Sequence, residues 1–104
     1  MQIQFNSDKN IILGEEQIVY FTSLINEEIS RYSAQITRLE IHLSDVDGNK
    51  DGFNDQRCMV EARLAGMKPI AVTEQANTLE QSIFGAIDKL KTSLETLTGR
   101  LKDH

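Results

Sequence analysis

The chain holds a single cysteine, Cys58, among 104 residues. One thiol can neither close an internal disulfide nor build a thiolate metal site, which suits a reducing compartment. The only proline is Pro69. It has no backbone donor, so it belongs at a strand start or on a sheet edge. Apolar runs are only a few residues long, far below the roughly 20 that a membrane-crossing helix needs. The segment Met1-Gln2-Ile3-Gln4-Phe5 alternates instead of placing an apolar block after a basic start, so it does not resemble an export signal and a cytoplasmic protein is expected. Gly48 and Gly52 are not followed by a Lys-Ser or Lys-Thr pair and do not open a helix, so nucleotide hydrolysis on a phosphate-cradling loop is not indicated. Bases are outnumbered, with 11 Lys and Arg against 16 Asp and Glu and a formal charge of -5. Any anion-binding surface must therefore be local.

What is present describes one ordinary globular unit. A hydrophobic content of 39% with 26% charged residues is that of a folded protein, not a disordered one. At this length a single core can bury roughly 60 to 70% of the unfolded chain's surface. No linker, repeat or low-complexity stretch divides the chain, and a single domain over residues 1–104 is expected.

Periodicity supplies the elements. Ile3 and Phe5 alternate with Gln2, Gln4 and Asn6, as in a half-buried strand. Ile18, Phe21, Ile25 and Ile29 recur three and four residues apart, which predicts a helix with one apolar stripe, flanked by Val19 and Tyr20 and ending near Tyr32. Glu15 and Glu16 suit the positive end of its dipole. Thr37, Leu39, Ile41 and Leu43 alternate with Arg38, Glu40, His42 and Ser44 to give a second strand. Cys58, Val60, Ala62 and Leu64 alternate with Met59, Glu61 and Arg63 in a third, and a tight connection around Gly66 leads to a fourth strand at Ile70 and Val72. Leu79, Ile83, Ala86, Leu90, Leu94, Leu97 and Leu101 then step by three and four along a long amphipathic helix. Gly85 and Gly99 lie within it at about 1 kcal/mol each against Ala, so fraying past Thr98 is expected. The order β-α-β-β-β-α predicts an α+β fold: a four-stranded sheet with both helices on one face, a right-handed crossover between the first two strands and an antiparallel meander thereafter, with the fourth strand at an edge.

Few residues suggest chemistry. His42 stands on the polar face of the second strand beside Glu40 and Ser44, and His104 is at the other end of the chain, so neither a metal pair nor a catalytic partner is visible and no enzyme is expected. Cys58 alternates with core residues and reads as a small buried hydrophobe. From Asp47, the run Asp47, Asn49, Asp51, Gly52 and Asp55 opens like a calcium loop. The twelfth position, where a bidentate glutamate belongs, is Cys58, and the flanks read as strands, so a solvated hairpin connector is the plainer reading. The bases Lys89, Lys91, Arg100 and Lys102 of the last helix, aided by Arg57, Arg63 or Lys68 if the fold brings them near, are candidates for phosphate contact. Interleaved Asp88, Glu95 and Asp103 equally describe a solvated, salt-bridged helix face.

Ile29, Tyr32, Ile36, Leu39, Ile41 and Leu43, followed by Ile83, Ala86, Ile87, Asp88, Lys89, Leu90 and Leu94, stand in an order and spacing that resembles the ribosome hibernation and ribosome-associated inhibitor family, also known as the sigma-54 modulation family, in its short form. The resemblance spans nearly the whole chain and implies the same β-α-β-β-β-α layout. It also implies a non-enzymatic factor, without a cofactor, that binds the RNA-lined decoding channel of the small ribosomal subunit and blocks messenger and transfer RNA during slow growth. On this resemblance Lys89, Lys91, Arg100 and Lys102 are the residues that contact ribosomal RNA. Thr92, Thr96 and Thr98 stand where relatives often carry bases, and Glu27 and Glu28 occupy a stretch of the first helix that is often basic. The alternative is an interaction module that kept the fold and binds a protein or calcium through its acidic helix or its loop.

Overall fold

The computed structural model describes residues 1–46 and 55–102, except for the side chains of residues 98 and 100–102. Strand β1 (Gln2–Ser7) leads into helix α1 (Glu15–Ile29), which closes with a single 3-10 turn over Ser30–Tyr32. Strands β2 (Ile36–Asp45), β3 (Gln56–Leu64) and β4 (Ile70–Ala76) follow, and helix α2 (Leu79–Lys102) completes the described chain. The sheet order is β1-β2-β3-β4, with β1 parallel to β2 and the other pairings antiparallel. The parallel pair requires a crossover, and α1 is that crossover. Strand β4 lies at an edge and begins directly after Pro69, where a missing backbone donor costs least.

Each helix starts with a local signal. Gln17 reaches back from the first turn of α1, its side-chain oxygen accepting from the Gly14 backbone N–H at 3.1 Å. The Thr78 hydroxyl accepts from the Gln81 N–H at 3.1 Å at the start of α2. The turn between β3 and β4 passes through Gly66 at φ +70, a left-handed conformation that a side chain would strain.

The core lies between one face of the sheet and the two helices. Leu39, Ile41, Leu43, Cys58, Val60 and Ala62 from the sheet meet Phe21, Ile25 and Ile29 of α1 and Ile83, Ala86, Ile87, Leu90 and Leu94 of α2. Side chains alternate along a strand, so the opposite face, with no helix over it among the described residues, carries the polar set. One departure from strict alternation occurs at the start of β2, where the register shifts between Ile36 and Arg38. Ile36 and Leu39 are both buried while Thr37 is exposed, so Thr37 is not the inward residue that alternation predicts. The bulge turns it outward, and its hydroxyl donates to the Arg63 carbonyl at 3.1 Å. Helix α2 also runs past Thr98 and through Gly99 to Lys102, further than its glycine content suggests. Leu94 is buried and Leu97 half-buried on the core side, so packing holds the helix close to Gly99 and overrides its weak propensity.

At Gly85, α2 lies against the Glu74 side chain of β4. A Cβ there would lie 2.5 Å from Glu74 Oε2 and 2.6 Å from its Cγ, because Glu74 is on the helix-bearing side of the sheet, opposite Cys58.

Truncating Ile41 or Leu90, both fully buried, to Ala is expected to cost about 2 to 5 kcal/mol in urea unfolding. Values near zero at both positions contradict the core described above. Gly85→Ala is expected to give little or no stabilisation in the wild type, where the new methyl meets Glu74. In a Glu74→Ala background it should gain up to about 1 kcal/mol from helix propensity.

Candidate functional site

Lys89 and Lys91 project to opposite flanks of α2, because residues two apart on a helix lie about 200° apart around its axis. Lys89 turns toward the sheet edge, where its Nζ donates to the Thr73 carbonyl at 2.8 Å and pairs with Glu74 at 3.2 Å. Lys91 turns toward α1 and pairs with Glu28 at 2.9 Å. The Glu28 hydrogen bond, and then that carboxylate's charge, hold the Lys91 amine above its ordinary pKa. The two lysines thus do not form one patch. Both pairs are solvent-exposed contacts of the kind typically worth about 0 to 1 kcal/mol, so exchanging a carboxylate for another anion is inexpensive. The side chains of Arg100 and Lys102 lie outside the described residues.

The open face of the sheet carries a second set of bases. Arg38, Glu40 and His42 project from β2, and Arg57, Met59, Glu61 and Arg63 from β3. The register sets Arg38 across from Arg63 and Glu40 across from Glu61, two like-charge pairings that would repel in isolation. Each arginine instead neutralises a carboxylate two positions away on its own strand, Arg38 with Glu40 at 2.9 Å and Arg63 with Glu61 at 3.3 Å. Arg38 also donates to the Gln4 side chain, and His42 Nε2 lies 3.8 Å from Glu40. Arg57 is exposed and makes no ion pair among the described residues; Ser44 and Gln75 are its cross-strand neighbours. This face therefore holds three arginines against two glutamates. Helix α1, by contrast, contributes Glu15, Glu16, Glu27 and Glu28 and no base.

Arg57 and Arg63 do not assist the α2 lysines, because the sheet stands between them. Their position was readable in advance: they are out of phase with the buried Cys58, Val60, Ala62 and Leu64, which assigns them to the face away from the helices. Lys68 is exposed in the β3–β4 turn. What sequence could not show is Glu74 beneath Lys89, a contact made only when β4 and α2 pack.

The fold and sequence both have known counterparts. The family model described as "Sigma 54 modulation protein / S30EA ribosomal protein" matches residues 6–102. The N-terminal domain of Thermus thermophilus Protein Y superposes with a TM-score of 0.67 at 19% identity, covering 92% of this chain and 94% of that one. A ribosomal subunit interface protein from Coxiella burnetii superposes at 0.65 with 14% identity, covering 95% and 99%. No curated protein is significantly similar in sequence.

The remaining chemical candidates fall inside the fold or outside its described part. Residues 47–54, which hold most of the calcium-like pattern, lie outside the described residues. Its twelfth position, Cys58, is fully buried in β3 beneath the helices, on the opposite side from solvent. Burial pushes the Cys58 thiol from 9.0 up to about 12. The thiol therefore stays protonated at neutral pH and is a packing group. Reaction with an aromatic disulfide reagent at neutral pH is expected only at the rate of unfolding, and immediate modification of the native protein contradicts this burial. The unfolded thiol ionises above about 9 while the folded one retains its proton, so its contribution is intact below that pH and is lost as pH rises toward about 12. Cys58→Ala should lessen the alkaline fall in stability.

Proposed function

Because the chain belongs to the sigma 54 modulation protein / S30EA ribosomal protein family, whose members are ribosome-associated factors and not an enzyme class, we propose that it acts in the cytoplasm as a translation inhibitor on the small ribosomal subunit. In this reading it occupies the RNA-lined decoding channel and excludes messenger and transfer RNA during slow growth. The names of the structural neighbours, Protein Y and a ribosomal subunit interface protein, agree with it.

One observation supports it most strongly: exposed or half-exposed bases occur on both layers of a thin molecule, Lys89 and Lys91 on the helical side and Arg38, Arg57 and Arg63 on the open sheet. A channel surrounds its occupant, so a protein within it needs cations on opposite faces. Lys89 and Lys91 contact phosphates by leaving Glu74 and Glu28, and Arg100 and Lys102 extend the same set along α2. Arg57 needs no partner exchange and is the strongest single contact. Paired Arg38 and Arg63 supply planar guanidinium groups suited to bidentate phosphate binding. The glutamates of α1 face away from phosphate, since anions there repel RNA.

Cosedimentation with purified small subunits tests this. Affinity is expected to fall with salt, with a log-log slope of about -2 to -4 for three to four phosphate contacts. Arg57→Glu with Arg63→Glu should release the protein at physiological salt, and Lys89→Glu with Lys91→Glu should weaken it independently. Glu27→Lys with Glu28→Lys should tighten binding. If the wild type fails to cosediment, or if neither pair of reversals changes cosedimentation, this function is wrong.

A further inference from the structure

Ribosome binding leaves one part of the helical layer unexplained. Helices α1 and α2 run parallel, and among the described residues two polar contacts join them: the Tyr20 hydroxyl donates to Glu80 at 2.9 Å, and Lys91 pairs with Glu28 at 2.9 Å. At 1.5 Å per residue, these contacts are about 12 Å apart along α1 and about 16 Å apart along α2, two to three helical turns. Between them lies a groove lined by Leu24, Ile25, Glu28, Ile83, Phe84 and Ile87. Phe84 is 39% exposed at its lip, and Tyr20, four residues before Leu24 and on the same side of α1, extends the uncovered apolar surface at 50%. These are large side chains kept in water, at a position where neither helix needs them to close the core.

The rim is mostly acidic. Glu27 and Glu28 follow Leu24 by three and four residues on α1, Asp88 follows Phe84 by four on α2, and Glu80 precedes it by four, so all four carboxylates border the apolar strip. Lys91 and Glu28 neutralise each other, whereas Glu27, Glu80 and Asp88 make no ion pair among the described residues. Away from Lys91, these acids repel a phosphate backbone or an anionic lipid surface, and a second copy of the chain docking by two-fold symmetry sets acids against the same acids.

We propose that this groove docks a cationic amphipathic helix of a partner protein. Its apolar stripe covers Tyr20, Leu24 and Phe84, and its Lys or Arg side chains meet Glu27, Glu80 and Asp88. The two polar contacts that bound this strip stand two to three helical turns apart, the span over which such a helix presents anchors three and four residues apart. This inference does not depend on ribosome binding, which uses other residues for its contacts apart from Lys91.

The test uses the purified full chain and a fluorescent Leu/Lys peptide of about 18 residues, long enough to hold a helix when bound, with leucines spaced three and four apart. A scrambled peptide of identical composition is the control. Anisotropy at physiological salt should show saturable binding at least about tenfold tighter for the amphipathic peptide, with added salt weakening but not abolishing it. Phe84→Ala, and separately Glu27→Gln with Asp88→Asn, should each reduce affinity several-fold. In the wild-type protein, amide shifts on adding peptide should centre on Tyr20, Leu24 and Phe84, which covers the case of a variant that folds poorly. Equal affinity for the scrambled peptide, unchanged affinity in a folded Phe84→Ala protein, or shifts centred elsewhere overturn the proposal. So does concentration-dependent self-association that Phe84→Ala removes, since a second copy is then the occupant.

Discussion

Burial of one face of a four-stranded sheet under two helices is the constraint on which the rest of the molecule depends. Leu39, Ile41, Leu43, Cys58, Val60 and Ala62 are all at or near zero exposure on that face. Side chains must alternate, so burying these residues exposes Arg38, Glu40, His42, Arg57, Glu61 and Arg63 on the other face. The polar surface of the sheet is thus a geometric consequence of its apolar one. Because both helices lie on the same side, no helix or strand among the described residues covers it.

This one-sided core also sorts the charge. The chain is acidic overall, yet much of its excess is on the helical layer, with four glutamates on α1 alone, while the open sheet holds more arginine than glutamate. Net charge therefore says little about whether such a protein binds RNA; the layer on which each base stands says more. The same sorting makes the two helical lysines half of a larger arrangement, and it leaves the acid-rimmed groove between α1 and α2 better matched to a basic protein segment than to phosphate.

Much of this was legible in the residues themselves. Strict alternation from Cys58 to Leu64 identified β3, its inward set and its outward set, and the three-and-four spacing from Leu79 onward identified α2. Pro69 marked the start of the edge strand. The features that escaped are those produced by packing or local irregularity. The bulge at Thr37 reverses one residue's face, and nothing in a Thr-Arg-Leu sequence announces it. Helix α2 continues through Gly99 because Leu94 and Leu97 are packed nearby, a tertiary effect that outweighs propensity. The separation of Lys89 from Lys91 follows from helical geometry, but their partners Glu74 and Glu28 are distant in sequence and become visible only in the fold.

The central claim is that a thin α+β unit is held within ribosomal RNA by bases on both of its layers. Electron cryomicroscopy of the chain bound to purified small subunits addresses it most directly. The account predicts density for the chain in the decoding channel, with Arg57 and Arg63 against one RNA wall and Lys89 against another. Density elsewhere on the subunit, or a chain in the channel whose open sheet faces only solvent, contradicts it.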